Sequence, residues 1–259
     1  MKRILLFLAI FLLGSYESSA SLPIGDPLAG ARADETGHID VLTVFAHQDD
    51  ETIYGGGTLF LLKKDPRVRL YILCMTLGDM SEAKERLMIS REHLGRIRQR
   101  ELETAAAVYG AERVFQLDYH DQSLKDIASE ELAQSIIKVI EEVGAEILFT
   151  HDPVGITGHP DHVACSRAAF IAFKRSCAKR LFCPTLPDFI YRIALAPAIK
   201  YARVNPLKPT FKVDISSVKT LKRMAFYAHA SQKHFSNVGV IAKPILAMNY
   251  EYFAWGGTH

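Results

Sequence analysis

The sequence lacks several patterns that mark common classes of protein. Its four cysteines include no CxxC pair, so a zinc cage built from thiolates is not indicated. No G-x-G-x-x-G follows the first strand-like run, because Gly55-Gly56-Gly57 comes too late and has the wrong spacing, which excludes a dinucleotide-binding oxidoreductase. The net charge is only +2, without a basic stripe interleaved with aromatic residues, and this argues against a nucleic-acid partner.

The N-terminus has the layout of a secretory signal peptide. Lys2-Arg3 form a positive start, Ile4–Leu13 is an unbroken apolar run, and Ser18-Ser19-Ala20 supplies small residues for a cleavage site. Such a short run cannot cross a hydrocarbon core of roughly 30 Å, so an uncleaved membrane anchor is disfavoured. We therefore predict that residues 1–20 are removed, that no stable membrane span remains, and that the protein is exported to the periplasm or secreted.

Export would place the cysteines in a compartment where disulfides form. Cys177 and Cys183 are close in sequence and could form a disulfide in an oxidising compartment. Cys74 lies in an apolar run, where a cysteine is usually a small buried hydrophobe. The sequence alone leaves the pairing of Cys177 with Cys183 open.

After an irregular lead-in at residues 21–38, apolar runs alternate with helical patterns. Strands are predicted at Ile39–Ala46, Val68–Thr76, Arg113–Tyr119 and Glu146–Thr150. Helices are predicted at Lys84–Tyr109 before Gly110, from a cap at Ser129 to Val143 before Gly144, and at His159–Lys174. This alternation predicts a single α/β domain over residues 39–259, with a Rossmann-like, mostly parallel sheet and helices on both faces.

Polar side chains follow the end of each predicted strand. The clusters are His47–Glu51, Thr76–Asp79, His120-Asp121, His151-Asp152 and His159–His162. Because active sites in parallel sheets gather at the carboxyl ends of the strands, we expect these ionisable groups to meet at one edge.

The segment that follows the first strand carries donors suited to a catalytic metal. Zinc in such sites takes three ligands from His, Asp and Glu and keeps a position for water. His47 and Asp50 lie three residues apart and can aim at one point, and His162 could complete the set from the later loop. Asp49 leaves the backbone in another direction and is suited to handling protons. The alternative is that these acids only cap the following helix, but two His-rich motifs at equivalent strand ends favour a metal site.

These motifs resemble those of the N-acetylglucosaminyl deacetylase family of zinc amidases, often called PIG-L/LmbE-like. The family motif Ala-His-Pro-Asp-Asp-Glu is matched at residues 46–51, with Gln48 in place of proline, and His-Pro-Asp-His is matched at residues 159–162. In the Thr-x-Gly-x-x-Gly loop that begins at Thr76, Ser81 replaces the last glycine. The likeness extends in the same order over about residues 40–255, through the segments Arg98–Leu102, Leu117–Asp121, Lys222–Ala225 and His229–Gln232.

The resemblance implies a division of roles among the first two motifs. His47, Asp50 and His162 would hold zinc, although iron or cobalt suits the same donors. Asp49 would act as general base toward a water molecule whose pKa zinc lowers. His159 would stabilise the oxyanion or protonate the leaving amine.

Four further residues match family positions around the site. Arg98 and Asp121 would contact the sugar, Arg98 through phosphate or hydroxyl groups, and the alternative for both is a surface ion pair or a turn. Asp161 and His229 would fix the orientation of the ligands from behind. A core histidine without catalytic function is an alternative for His229.

The implied reaction is removal of an acetyl group from an N-acetylated amino sugar, carried on a glycolipid, a glycan or a glycosylated metabolite. One alternative is an amidase that cleaves a larger acyl or thiol-conjugate amide. Another is a sugar-binding protein of the same fold without catalysis, which the complete set of site residues disfavours.

Overall fold

The computed structural model describes residues 21–188, 191, 206–235 and 238–258. The predicted signal peptide at residues 1–20 lies outside the described residues. No helix in the described part of the chain is both long and apolar enough to span a membrane.

Seven strands in the described residues form one sheet. They are β1 (Ile39–Phe45), β2 (Val68–Thr76), β3 (Arg113–Tyr119), β4 (Ile147–Thr150), β5 (Arg180–Thr185), β6 (Phe211–Asp214) and β7 (Tyr250–Thr258). The helices are α1 (Asp50–Leu62), α2 (Ala83–Leu87), α3 (Arg91–Tyr109), α4 (Ser129–Val143), α5 (Pro160–Arg175), α6 (Lys219–Ala228), α7 (Ala230–Phe235) and α8 (Val238–Leu246), with single turns at Leu124–Asp126 and Gly155–Gly158.

The sheet is mostly parallel, which confirms the predicted fold class. Its strand order is β3-β2-β1-β4-β5-β7-β6, and the first five strands of this order run parallel to one another. The strand β7 is antiparallel to both β5 and β6. Every residue of β1 is buried, as expected for a central strand that is covered on both faces.

Helices cover both faces of this sheet. On one face, Ile136 of α4 and Ala168 of α5 share a buried apolar cluster with Leu42 and Val44 of β1. On the opposite face, α1, α3 and α6 pack on the side chains that alternate with these, and their cluster includes Leu59, Leu102, Ala225 and Val41. The helices thereby fix the ends of β1 and β4, where the candidate site lies.

Several predicted boundaries need small corrections. The predicted helix Lys84–Tyr109 is two helices, because Met88 has a left-handed φ of 54° and Ser90 caps a new helix by accepting the N–H of His93. Ser129 is the first residue of α4 and does not cap it, since the cap position is Ala128. Gly110 closes α3 with a left-handed φ of 70°, as predicted.

The disulfide considered for Cys177 and Cys183 is absent from the structure. Both thiols are free, as are the other two. Cys177 is exposed after the end of α5, whereas Cys183 is buried within β5 opposite Ala254 of β7. The two side chains therefore occupy different environments, one in solvent and one inside the sheet.

Candidate active site

The neighbouring strands β1 and β4 bring the two His-rich motifs together. Val44 pairs with Thr150 near the carboxyl ends of these strands. His47 and Asp50 follow β1 at the start of α1, and His162 lies in the first turn of α5, beyond β4. All three side chains are buried.

The predicted ligand atoms lie close to one another. The Nδ1 atom of His47 is 3.1 Å from Nε2 of His162 and 3.5 Å from Oδ2 of Asp50. The Nε2 atom of His162 is 3.4 Å from the same Asp50 oxygen. Groups that could hold a metal ion also overlap here: His47, His159 and His162; Asp50, His151 and His162; and His47, Asp121 and Asp161.

Hydrogen bonds set the tautomers of both histidines. The Nδ1 atom of His162 is 3.1 Å from the carbonyl oxygen of Gly155, so Nδ1–H donates and the Nε2 lone pair faces Asp50. The Nε2 atom of His47 is 3.0 Å from Asp121 and 3.4 Å from Asp161, so Nε2–H donates a hydrogen bond to these carboxylates. The lone pair of Nδ1 is then available to a metal ion. A carboxylate behind a ligating histidine is the usual arrangement in metal sites.

The charges of the site favour a cation between these residues. Burial by itself lowers the pKa of His47, but Asp121, Asp161 and Asp50 raise it well above the ordinary value. Burial likewise opposes the charge of Asp50, yet His162 and His151 hold its pKa well below the ordinary value. A metal ion would satisfy these carboxylates in the same way.

Asp49 has a strained backbone conformation, and one of its carboxylate oxygens has no hydrogen-bond donor among the described residues. Its φ is 102°, which is uncommon for a residue other than glycine and costs ~1–3 kcal/mol. Within the described part of the chain, Oδ2 of Asp49 accepts no hydrogen bond, and the nearest cation is Nη2 of Arg98 at 3.6 Å. Burial raises the pKa of Asp49 to about 7, against the opposing charge of Arg98. Such a carboxylate suits a general base.

His159 caps α5 and adjoins His47 and His162, the two histidines predicted as ligands. Its Nδ1 atom accepts the backbone N–H of Asp161 at 3.2 Å, so the neutral ring carries its proton on Nε2. Burial and the nearby His47 lower its pKa to about 4. The ring centroid lies 5.0 Å from those of His47 and His162. His159 is therefore placed to donate a hydrogen bond from Nε2 into the site.

Arg98 is buried against the backbone of two loops. Its guanidinium donates to the carbonyl of Gly78 at 3.1 Å and to that of Gln48 at 2.6 Å, and so joins the loops that follow β2 and β1. Gln48, which replaces the family proline, donates to the carbonyl of Thr76 at 3.0 Å. Asp121 accepts from His47, and its own N–H donates to Asp79. Contact of Arg98 and Asp121 with a sugar stays a prediction.

Asp161 and His229 lie behind the predicted ligands and base. Asp161 approaches His47 and also accepts the N–H groups of Gln122 and Leu124, which ties the loop after β3 to the site. His229 lies 3.2 Å from Glu51, between α6 and α7. It contacts none of the three predicted ligands in the described structure, and its influence passes through Glu51.

Two residues at the site carry roles that the sequence patterns did not assign. His151 at the end of β4 is fully buried, with Nε2 3.3 Å from Oδ2 of Asp50, and its ring stacks on that of His162 at 4.0 Å. Glu51 accepts the backbone N–H of Asp49 at 3.1 Å. The signals in the sequence were the position of His151 after a strand next to β1 and the place of Glu51 in the first motif.

The fold and the buried cluster of histidines and carboxylates define an α/β protein built around a candidate metal site. The family model described as PIG-L, GlcNAc-PI de-N-acetylase, matches residues 42–173. The "Probable N-acetyl-alpha-D-glucosaminyl L-malate deacetylase 2" of Bacillus anthracis is 32% identical over 197 residues, which cover 74% of this chain and 80% of the relative. The chain belongs to the PIG-L family, as its motifs predict.

The chain is also similar to a second curated relative and to a solved structure. The "Probable N-acetylglucosaminyl-phosphatidylinositol de-N-acetylase" of Schizosaccharomyces pombe is 30% identical over 147 residues, and the match spans 55% of each chain. The N,N'-diacetylchitobiose deacetylase of Pyrococcus horikoshii superposes with a TM-score of 0.65 at 24% identity, over 90% of this chain and 86% of that structure. This last similarity shows a shared fold.

Proposed function

We propose that this protein is a zinc-dependent deacetylase that hydrolyses the acetamide of an N-acetylglucosamine-type sugar. The observation that carries the proposal is the meeting of three donor atoms, from His47, Asp50 and His162, beside the unused oxygen of Asp49. Relatives named for deacetylation of N-acetylglucosaminyl conjugates support the substrate class.

The spacing of the donors supports zinc. Tetrahedral zinc with bonds of about 2.0–2.1 Å separates its ligand atoms by about 3.3–3.4 Å. The three separations here are 3.1, 3.4 and 3.5 Å. Iron and cobalt remain alternatives, because the donor types suit them as well.

The chain's own residues then divide the chemistry. Zinc held by these donors would polarise the acetyl carbonyl and lower the pKa of a water molecule toward neutrality. Asp49 takes a proton from the water molecule while the water oxygen attacks the carbonyl carbon. Asp49 then returns the proton to the leaving amine. His159 donates its Nε2–H to the oxyanion that develops on the carbonyl oxygen. His47 is held in its ligating tautomer by Asp121 and Asp161.

An amine-release assay joined to metal analysis tests the proposal. The purified protein is assayed on N-acetylglucosamine, N,N'-diacetylchitobiose and N-acetylglucosaminyl-phosphatidylinositol, with N-butyryl analogues as the comparison for larger acyl groups. We expect one tightly held zinc per chain and turnover of at least one N-acetyl substrate, lost on chelation and restored by zinc. Preference for the butyryl analogues, or full activity without metal, would overturn the proposal.

A further inference from the structure

The C-terminal part of the chain has an uneven distribution of charge. Residues 215–250 contain five Lys or Arg residues and no Asp or Glu, whereas the whole chain has 31 basic and 29 acidic residues. This stretch forms α6, α7 and α8. These helices therefore carry an excess of positive charge within an almost balanced protein.

These three helices line a cavity of about 430 Å³. Four basic side chains face it: Arg223 from α6, Lys233 and His234 from α7, and Lys243 from α8. Its described lining includes no acidic residue, and Phe226 and Tyr227 contribute aromatic walls. A volume of this size is typical of pockets for small organic ligands.

Three of these side chains, those of Arg223, Lys233 and Lys243, have no carboxylate partner among the described residues. The ammonium of Lys233 lies 3.8 Å from the centre of the Tyr227 ring. By contrast, Lys222 on the same helix as Arg223 is fully buried and pairs with Glu251 at 2.7 Å. In the described structure, Lys222 is therefore paired with a carboxylate, whereas Arg223, Lys233 and Lys243 are not.

An apolar strip lies on the outer face of α6. Leu221, Met224 and Tyr227 are 40%, 52% and 47% exposed, and they are three of the six large hydrophobic side chains that the described structure exposes. Their spacing of three residues places them on one side of the helix. Clustered exposed apolar side chains beside cations are typical of a binding surface.

We propose that this cavity is a second binding site, which takes a phosphate group carried by a larger organic molecule. Converging Arg and Lys side chains satisfy several phosphate oxygens at once, and Arg can bind two of them together. The residues of the candidate active site do not line the cavity. The phosphate can belong to a soluble phosphate ester or to a phospholipid head group, and the apolar strip on α6 would contact the acyl region in the second case.

A pair of double variants tests this site. Arg223→Gln/Lys243→Gln removes two cations from the cavity, and Lys138→Gln/Lys174→Gln removes two exposed cations from α4 and α5 on the opposite face of the sheet. Binding of inorganic phosphate is measured by calorimetry at constant ionic strength. In the second arm, co-sedimentation is measured with vesicles of phosphatidylcholine alone or mixed with phosphatidylglycerol.

We expect Arg223→Gln/Lys243→Gln to bind phosphate about tenfold more weakly, because charge-assisted contacts are lost, and Lys138→Gln/Lys174→Gln to bind it as the unaltered protein does. Co-sedimentation with the mixed vesicles alone, lost in the cavity variant, would identify a lipid as the source. Phosphate binding without co-sedimentation would identify a soluble ester. Equal binding by both double variants in both arms, or no binding by the unaltered protein, would overturn the proposal. None of these readouts depends on deacetylation.

Discussion

Glu51 holds the backbone of Asp49, the residue proposed as general base. Its Oε2 accepts the N–H of Asp49 at 3.1 Å, while its Oε1 accepts from Thr52 at 2.7 Å and lies 3.2 Å from Nε2 of His229. On the other side of the same peptide, the Gln48 carbonyl accepts from Arg98. Hydrogen bonds to both ends of this peptide maintain the left-handed conformation that directs the Asp49 side chain.

Substitution of Glu51 should therefore reduce turnover without loss of metal. In Glu51→Gln a single carbonyl oxygen replaces two carboxylate oxygens, so one buried donor loses its acceptor, at a cost of about 1–3 kcal/mol in the free energy of unfolding. We expect kcat to fall by about tenfold or more, because a small misplacement of a catalytic group is costly. Zinc content and steady-state rates measure the effect.

Glu101→Gln is the matched control for this substitution. Glu101 is also buried and accepts both the N–H and the hydroxyl of Ser231 at 2.7 Å, but its hydrogen bonds go to α7 and not to Asp49. It should lose similar stability and keep most of its kcat. Equal losses of kcat in the two variants would show that the Glu51 effect acts through stability alone.

Gly78 should tolerate no side chain. Its φ is 62°, and a Cβ atom there would overlap the guanidinium of Arg98 and the side-chain oxygen of Gln48. Gly78→Ala should lower the free energy of unfolding by about 2–4 kcal/mol, since overpacking adds to the strain of a left-handed alanine. Gly37→Ala measures the cost of backbone strain without overpacking, because Gly37 has a similar φ of 85° and a Cβ atom added there would meet no other atom within 4 Å. Similar losses in the two variants, measured by denaturant unfolding, would contradict the role of packing at Gly78.

Lys222 should be essential to the fold because it neutralises a buried carboxylate. Glu251 pairs with the ammonium of Lys222 and also accepts the N–H groups of Gly57 and Thr58 within α1. Lys222→Met leaves that carboxylate buried without its cation, and we expect a loss of about 3–5 kcal/mol. Lys219→Met on the same helix removes only surface hydrogen bonds and should cost about 0.5 kcal/mol or less. Urea unfolding of both variants distinguishes them.

The sequence predicted most of the sheet and the meeting of the two motifs. Strands β2 and β3 have their predicted bounds. His47 and His162 are 115 residues apart in sequence, and their proximity follows from the expectation that active-site residues gather at the carboxyl ends of parallel strands. The place of β7 was not predictable, because pairing of β5 with a strand that follows α8 depends on long-range packing. The contact between Glu51 and His229 spans 178 residues and depends on the same packing, so no local pattern reveals it.

Export is the prediction that depends on the N-terminus alone. The positive start, the apolar run Ile4–Leu13 and the site at Ser18-Ser19-Ala20 predict a mature chain that begins at or near Ser21. N-terminal sequencing of the protein from its native host, after fractionation of the cells, provides the measurement. A retained Met1 in the cytoplasmic fraction would count against export.

Substitutions of the adjacent acids Asp49 and Asp50 should impair different properties of the protein. Asp50, as a ligand, should be needed to retain zinc, whereas Asp49, as base, should be needed only for turnover. Asp49→Asn should therefore keep roughly full metal occupancy and lose on the order of 10²–10⁴ in kcat, the usual contribution of a general base. Asp50→Ala should lose affinity for zinc, and excess zinc should restore part of its activity.

His159→Ala provides the third comparison in this series. It should retain zinc and lose kcat, because its Nε2–H acts on charge that develops in the transition state. Metal content by mass spectrometry, measured beside steady-state rates, separates the three variants, and excess zinc should not rescue either Asp49→Asn or His159→Ala. If Asp49→Asn is purified without metal while Asp50→Ala keeps its zinc, the assignment of base and ligand is reversed.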